Sequence, residues 1–241
     1  STCGARLFAL IDHETEIDNA PDAQNLKITD GTLKLENVSF AYAGNADRKA
    51  VSGISFEAHR GETVGIVGPP GSGKTTLMHL IPRFYDPTQG SISIDGQDIR
   101  DATLASVRQA VAVVQQDNFL FTTSIENNIA YADPFTETRQ IRGVAESAQL
   151  HDYILGLPGK YGTIVGERGV SLSGGQRQRL CIARTLMMKP AVLIFDDSTA
   201  AIDAGTENRI RRALKEYAKD RVTLIVAHRL ASLMHADRIL F

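Results

Sequence analysis

The sequence has 241 residues, and 43% of them are hydrophobic, which is enough to bury the core of one compact unit with an inserted lobe. The formal net charge is −2, so no overall basic field favours binding to nucleic acid or to an anionic membrane surface. Cys3 and Cys181 lie far apart and lack the spacing of metal ligands, which suits a reducing compartment. No apolar run approaches the roughly 18 residues that span a bilayer, so we expect any membrane role to come from a partner or from sequence outside this chain.

Both ends of the sequence favour a piece of a longer polypeptide. Residues 5–12 have the pattern of the last turns of an amphipathic helix, and the acidic, proline-containing residues 13–25 are typical of a linker. The sequence stops at Phe241, inside a predicted buried strand. We therefore predict a linker over residues 1–30 and a domain over residues 31–241 that is truncated at its carboxyl end.

The domain is predicted to begin with antiparallel strands. Leu33 and Leu35 alternate with polar residues, Asn37 interrupts the pattern, and the alternation resumes in a shifted register, as at a β-bulge. Residues 51–58 form the second predicted strand. Tyr42, between these strands, could offer its ring to a purine base, although its position alone favours a core aromatic residue.

A glycine-rich stretch comes next, between a third predicted strand and a helix. Residues 68–75 have the sequence GPPGSGKT, which fits the phosphate-loop pattern of Gly, four residues and Gly-Lys-Ser/Thr. Its amides can face a pyrophosphate, Lys74 would contact the β- and γ-phosphates, and the hydroxyl of Thr75 would bind Mg²⁺. The alternative is a purely structural Gly/Pro turn, but the order of strand, loop and helix favours binding of a nucleoside triphosphate.

A mainly helical interval follows. A buried strand over residues 110–114 leads to Gln116, and helical periodicity then appears at residues 124–131, 136–150 and 151–157. We predict that this interval is an inserted helical subdomain over about residues 118–188.

The helical interval closes with the sequence LSGGQ at residues 172–176 and a further helix. Ser173 suits the position that caps a helix, and Gly174 and Gly175 leave backbone amides accessible to an anion. Without other motifs, a second phosphate site and a plain helix start remain equal alternatives here.

Polar residues also follow the buried strands of the carboxyl-terminal half. Asp196 and Asp197 follow one apolar strand, and His228 follows another. Two adjacent acids are costly to leave unpaired there, and in phosphate-loop hydrolases such an Asp holds Mg²⁺. Buried strands with intervening helices predict a largely parallel α/β sheet, whose ligands gather at the carboxyl ends of its strands. Gly68, Gln116, Asp196 and His228 are thereby predicted to meet at one edge.

With the phosphate loop and LSGGQ in one chain, the sequence from about residue 31 onward resembles the nucleotide-binding domain of an ATP-binding-cassette transporter. The resemblance implies a mostly parallel phosphate-loop core, an N-terminal antiparallel β subdomain and a helical subdomain that carries the LSGGQ signature. It implies ATP and Mg²⁺ as ligands, with Mg²⁺ held by Thr75, Gln116 and Asp196. For catalysis it implies Asp197, Gln116 and the switch residue His228. The implied nucleotide contacts are Tyr42 on the adenine, Gly68, Pro69, Pro70, Gly71, Ser72, Gly73, Lys74, Thr75, Thr76 and Gln116 around the phosphates, and Ser173, Gly174, Gly175 and Gln176 on an ATP held by the other subunit.

The resemblance also implies partners. Two cassettes join head to tail around two ATP molecules, at the cytoplasmic face of the cell membrane. Residues 118–121 and 163–169 resemble exporter cassettes that touch a membrane domain, which we expect on the same parent chain, upstream of Ser1. No nucleic-acid partner is expected.

Three residues depart from the exporter pattern. Asp197 stands where exporters usually have a Glu base, and its shorter side chain is expected to slow hydrolysis on the order of 10²-fold. Ile164 replaces a common Glu, and Ala200 replaces a common Ser. We therefore favour a heterodimer over a homodimer, in which this chain has a degenerate site of its own and lends an intact signature to its partner.

Two other functions stay open at this point. One is a regulatory cassette that binds ATP with weak hydrolysis, and the other is a soluble cassette protein not linked to transport. A phosphate-loop kinase is disfavoured, because kinases do not need the Gly174-Gly175 signature.

Overall fold

The fold is built on two sheets, one antiparallel and one parallel, in the computed structural model. The structure describes residues 17–44, 48–115, 119–166, 171–196, 204–227, 233–234 and 236–241, together with residues 4 and 8. The strands are β1 (Leu33–Phe40), β2 (Val51–Ala58), β3 (Thr63–Val67), β4 (Gln89–Ile94), β5 (Gln97–Asp98), β6 (Val111–Val114), β7 (Val192–Asp196), β8 (Val222–Ala227) and β9 (Arg238–Leu240). Within the described residues the sheet orders are β2-β1-β4-β5 and β6-β7-β8-β3-β9.

The antiparallel sheet contains the bulge that the sequence predicts. The register of β1 against β2 shifts between Leu35 and Val38, and Asn37 between them has a φ of 50°. Asparagine tolerates this left-handed conformation better than most residues, and the amide of Asn37 donates to Ser55 Oγ at 2.8 Å. The predicted bulge is confirmed. The pairing of β4 with β1 is a long-range contact that alternation alone does not specify.

The parallel sheet has apolar strands at its centre. β3, β7 and β8 pair in parallel, and their buried, Val- and Ile-rich sequences are typical of strands covered on both faces. The predicted α/β class is confirmed. The prediction of a buried strand near the end of the sequence is only half right, because β9 pairs with β3 at the sheet edge but Ile239 is 49% exposed.

Two apolar clusters lie around these sheets. One fills the space between the two sheets and the helix Lys74–Leu80. The other packs the helices Ile125–Ile129, Thr138–Ser147 and Gly174–Met187 against β6 and β7. None of the helices in the described part of the chain combines the length and apolar character of a membrane span. The helices are α1 (Lys74–Leu80), α2 (Leu104–Ala110), α3 (Ile125–Ile129), α4 (Thr138–Ser147), α5 (His151–Leu155), α6 (Gly174–Met187) and α7 (Ala204–Ala218), with a 3₁₀ turn at Lys160–Gly162.

Part of the predicted linker is held on the domain by one carboxylate. Asp95 accepts hydrogen bonds from the amides of Thr29, Gly31 and Thr32 at 2.8, 3.0 and 2.8 Å. Burial raises the pKa of Asp95, but these amides together with the Thr29 hydroxyl outweigh burial, so the pKa lies below its ordinary value. The boundaries of the linker and of the helical subdomain stay predictions.

Candidate phosphate-binding site

The candidate site lies where parallel strands end. Asp196, the last residue of β7, pairs in register with Val226 of β8, and Val226 pairs with Ile66 of β3. Because neighbouring strands lie about 4.8 Å apart, Asp196 is about 10 Å across the sheet from β3, whose end leads into the predicted phosphate loop. The predicted site residues Gln116, Asp197 and His228 lie outside the described residues.

Lys74 is the first residue of α1 and folds back over the loop. Its Nζ donates to the carbonyls of Gly68 and Pro69 at 2.7 and 2.9 Å and lies 3.4 Å from Ser72 Oγ. The residue is only 8% exposed. No carboxylate of the described residues forms an ion pair with Lys74. Within these residues, its ammonium group contacts only neutral oxygens. A buried cation with this environment is stabilised by an incoming anion.

The loop presents amides beside this cation. Within the described part of the chain, Ser72 donates its amide to Pro69 O at 3.2 Å, whereas no oxygen accepts from the amides of Gly71, Gly73 or Lys74. Gly73 has a φ of 90° and precedes α1 without a side-chain cap. Alternating right- and left-handed residues turn successive amides to one side, which is the geometry of an anion-binding nest. The residues Gly68 to Thr76 therefore fit a polyphosphate.

The described residues also offer oxygen ligands that suit Mg²⁺. Thr75 is exposed, and its hydroxyl has no hydrogen-bond partner among the described residues. Asp196 is half-buried at the end of β7. A hydroxyl and a carboxylate are ligands that Mg²⁺ accepts alongside phosphate oxygens, so this pair fits the ion by its chemistry.

Tyr42 lies against α1 rather than inside the core. Its hydroxyl is 3.0 Å from Thr76 Oγ1, and 36% of the residue is exposed. Its ring makes edge-to-face contacts with Phe40 and Tyr85, at centroid distances of 4.9 and 5.4 Å. The structure thereby brings Tyr42 together with the loop residues. Sequence reasoning missed Phe40 and Tyr85 as neighbours of Tyr42. Phe40 is only two residues before Tyr42, but Tyr85 is 43 residues after it, so no local pattern links Tyr85 to this site.

The LSGGQ residues form the start of α6. Ser173 Oγ accepts from the amide of Gln176 at 3.2 Å, and Gln176 Oε1 accepts from the amide of Ser173 at 2.8 Å, which makes a capping box. Ser173 is exposed, with Gly174 and Gly175 beside it. No hydrogen bond within the described residues joins Ser173 or Gln176 to the phosphate loop.

An exposed aromatic surface lies on the helical side of the domain. We define it by Phe119, Phe121 and Tyr131, of which Phe119 is 69% and Tyr131 58% exposed. The rings of Phe121 and Tyr131 stack at 4.2 Å, and the guanidinium of Arg184 lies 5.2 Å from the centre of the Phe121 ring. Burial lowers the pKa of Arg184.

Asn128 holds this aromatic surface in place. It is fully buried, its Oδ1 accepts from Arg184 and from the amide of Phe121, and its Nδ2 donates to Phe121 O at 3.0 Å. Sequence reasoning missed Asn128 and Arg184. A buried Asn inside a short amphipathic helix was the available signal.

Comparisons with known proteins agree with this geometry. A family model described as ABC transporter matches residues 51–200. A putative multidrug export ATP-binding/permease protein of Staphylococcus aureus (strain NCTC 8325 / PS 47) is 46% identical over 233 residues, which are 97% of this chain and 40% of the relative. An uncharacterized ABC transporter ATP-binding protein of Bacillus subtilis (strain 168) is 44% identical over 237 residues, 98% of this chain and 40% of the relative. This chain therefore spans about 40% of the length of the curated relatives it matches.

A solved structure gives the same result for the fold. The structure of a bacterial Atm1-family ABC exporter with ATP bound superimposes with a TM-score of 0.92 and 43% sequence identity, over 98% of this chain and 41% of the other. The matched family region, residues 51–200, includes the phosphate loop, the capped start of α6 and Asp196. This chain belongs to the ABC transporter family.

Proposed function

We propose that this chain is the ATP-binding and ATP-hydrolysing cassette of an exporter. The observation that carries the proposal is Lys74, a nearly buried cation with only neutral partners among the described residues, beside a loop of open amides. The relatives whose names include ATP binding and export support ATP binding by this chain and its use in export.

At the phosphate loop, this chain's residues bind and orient the nucleotide. The loop amides and Lys74 Nζ contact the β- and γ-phosphates, and Lys74 exchanges its carbonyl partners for phosphate oxygens. Tyr42 places its free ring face on the adenine. Thr75 and Asp196, with Gln116, would hold Mg²⁺, which neutralises phosphate charge when bound.

We assign hydrolysis to two residues that directly follow β7 and β8 in the sequence. Asp197 directly follows Asp196 and would orient the attacking water, and His228 directly follows β8 and would contact the γ-phosphate. Asp197 is one methylene shorter than the Glu that is usual in exporters. A water misplaced on that scale slows the reaction on the order of 10²-fold, so we propose that this chain's own site is slow.

The second half of each site comes from another cassette. Ser173, Gly174 and Gly175 are accessible and do not bond to their own chain's loop, which supports a head-to-tail dimer in which they contact the partner's ATP. This chain combines an intact LSGGQ sequence with the shorter acid Asp197 in place of the usual Glu base, and this combination favours a heterodimer. The differential affinity of the closed dimer for ATP and ADP would then drive opening and closing.

The aromatic surface is the proposed contact with a membrane domain. Phe119 and Tyr131 are exposed aromatic side chains, and Ile164 is 48% exposed on the same helical side, where residue 164 bridges to residue 124. Exposed apolar groups of this kind mark protein interfaces. Because the S. aureus relative is named as an ATP-binding/permease protein and is longer than this chain, we place the membrane domain on the same parent chain and the cassette on the cytoplasmic face of the membrane.

The nucleotide proposal is tested with Lys74→Ala. Removing one partner of a buried charged contact costs binding, so the Kd for Mg-ATP measured by calorimetry is expected to rise at least about 30-fold. Lys219→Ala is the matched control, because Lys219 is exposed and forms its ion pair within the described residues with Glu216. An unchanged Kd in the folded Lys74→Ala chain contradicts the proposal.

The slow-site proposal is tested with Asp197→Glu. Restoring the longer carboxylate is expected to raise steady-state phosphate release by this chain's own site by up to about 100-fold, with Asp152→Glu on α5 as control. The proposal is wrong if the unaltered chain alone forms an ATP-dependent homodimer that turns over at about 1 per second or faster.

Asp197 also supports a second candidate, a regulatory cassette that holds ATP with little turnover. Phosphate release by the parent assembly separates the two functions. If Lys74→Ala in this chain alone leaves release unchanged but alters its dependence on ATP concentration, the regulatory function is favoured.

A further inference from the structure

Tyr42 belongs to a cluster of three aromatic rings whose geometry leaves at least one of its faces uncovered by the other two rings. The centroid distances are 4.9 Å for Phe40 and Tyr42, 5.4 Å for Tyr42 and Tyr85, and 5.3 Å for Phe40 and Tyr85. The three rings therefore form a nearly equilateral triangle. We call this cluster the aromatic triangle.

The triangle covers only one side of Tyr42. If Phe40 and Tyr85 lay against opposite faces of the Tyr42 ring, their centroids would be about 10 Å apart, twice the usual distance of an aromatic pair. Their observed separation of 5.3 Å excludes a sandwich, so these two rings cover at most one face of Tyr42. Because 36% of Tyr42 is also exposed, we infer that an uncovered face is available to a planar base.

The triangle is fixed to the helix that follows the phosphate loop. Tyr42 Oη is 3.0 Å from Thr76 Oγ1, and the ring of Tyr85 lies 6.4 Å from that of His79. Thr76 and His79 are three residues apart, so they lie on the same face of α1. The free face of Tyr42 is thereby held at a set position relative to Lys74.

The turn that carries Tyr85 is also tied to β1, which carries Phe40. The amide and the hydroxyl of Thr88 both donate to Ser39 O at 2.9 Å. These bonds hold the turn that carries Tyr85 against β1. The triangle is anchored on both α1 and β1.

We propose that Tyr85, together with Phe40, is a positioning residue for adenine: it fixes the Tyr42 ring so that one face stays free at a set distance from the phosphate loop. This inference rests on the proposed function, because the base belongs to the bound ATP. Tyr85 does not touch the nucleotide. It acts by removing the rotational freedom of Tyr42 before binding.

The test compares two ligands that share a phosphate chain, Mg-ATP and Mg-tripolyphosphate, by calorimetry on this chain. Loss of the Tyr85 ring contact in Tyr85→Leu is expected to raise the Kd for ATP about three- to tenfold, and to leave the Kd for tripolyphosphate within about twofold. Tyr85→Phe keeps the ring and is expected to restore the unaltered ratio of the two constants. Tyr153→Leu, on α5 in the helical cluster, is the matched control.

Two further variants keep the test decisive. Tyr42→Phe keeps the ring but loses the bond to Thr76, so it tests the anchor on α1 even if Tyr85→Leu does not fold. We expect its ATP selectivity, the ratio of the Kd for tripolyphosphate to the Kd for ATP, to fall about twofold or more. Tyr42→Ala tests the adenine contact itself, with an expected loss of about tenfold or more.

The outcomes separate the inference from the proposed function. If Tyr42→Ala loses ATP selectivity but Tyr85→Leu and Tyr42→Phe keep it, the positioning role is overturned and the adenine contact stands. If Tyr42→Ala keeps the selectivity, the adenine contact fails, and the inference fails with it. If Tyr85→Leu weakens ATP and tripolyphosphate equally, Tyr85 supports only the general fold, and the inference is overturned.

Discussion

The two helices that begin at predicted phosphate contacts, α1 and α6, start in different ways. α1 follows Gly73, which has a left-handed conformation and no capping side chain. α6 follows Ser173, whose side chain and that of Gln176 form a complete capping box. Neither helix has an acidic residue in its first turn. The protein therefore caps one of these helix starts with its own side chains and leaves the other open.

The turn bound by Asp95 shows a third arrangement. There the amides of residues 29–32 are taken up by a carboxylate of the protein itself, with Oδ atoms 2.8 to 3.3 Å from the four nitrogens. The phosphate loop presents a similar set of amides without such an internal anion among the described residues. This difference supports the proposal that an external anion completes the phosphate loop. It also supports the proposal that Ser173 offers its hydroxyl proton to an anion while it still caps α6.

The largest effect is expected at Gly73, the residue that precedes α1. A Cβ at this position would lie 2.2 Å from Ala50 O, and φ is positive, so Gly73→Ala forces the backbone of the loop to move. We expect a loss of about 3 kcal/mol or more in the free energy of unfolding, together with loss of ATP binding. Thermal unfolding and calorimetry with ATP measure the two effects.

Gly71→Ala is the matched control for this prediction. Gly71 also has a positive φ, but apart from Gly71 itself and its two chain neighbours, no atom of the described residues lies within 4 Å of the position of its Cβ. We therefore expect only the conformational cost, about 1–2 kcal/mol. Equal losses for the two variants would show that the close approach to Ala50 does not shape the loop.

The motifs at these helix starts were predictable because each is encoded in a few consecutive residues. The phosphate loop, LSGGQ and the apolar strands carry their information locally, as periodicity or as spacing. The bulge at Asn37 was visible for the same reason. The functional positions of Gln116, Asp197 and His228 stay predictions, since they lie outside the described residues.

What sequence reasoning missed depends on contacts between distant residues. Tyr42 taken alone favoured a core position, because nothing local indicates that Tyr85, 43 residues later, covers just one side of its ring. Asp95 likewise reaches back to Thr29 across 66 residues. Such contacts follow from the packing of β1 against β4 and α1, which periodicity does not specify.

The next prediction concerns the charge of Asp95, whose carboxylate accepts from the amides of residues 29–32. Asp95→Asn keeps one acceptor oxygen but loses the charge, and we expect a loss of about 1–2 kcal/mol in the free energy of unfolding at pH 7. Because the pKa of Asp95 is lower in the folded than in the unfolded chain, its ionised form stabilises the fold above the ordinary carboxyl value of about 4, and that stabilisation is lost as pH falls toward the folded pKa. The difference between the two proteins should therefore shrink in denaturant titrations below about pH 4.

The control for Asp95 is Asp133→Asn, because Asp133 accepts from one amide, that of Phe135, at 3.0 Å. The free energy of unfolding of Asp133→Asn is expected to fall by about 0.5 kcal/mol or less. If the Asp95 variant is no less stable than the Asp133 variant, the four amides do not require an anion, and the analogy with the phosphate loop fails.

The smallest effect is expected at α6, whose start is capped by the hydroxyl of Ser173. Ser173→Ala removes the acceptor for the amide of Gln176, so we expect a loss of about 1 kcal/mol in the free energy of unfolding. Ser124→Ala is the matched control, because Ser124 caps α3 in the same way, accepting from the amide of Asn127 at 3.0 Å, and is not a predicted nucleotide contact. If Ser173 contacts the ATP of another chain, ATP-dependent dimerisation measured by light scattering falls more in Ser173→Ala than in Ser124→Ala, even at temperatures where both variants are folded. Equal dimerisation in the two variants would limit Ser173 to its role as a cap, because the loss would then follow helix stability alone.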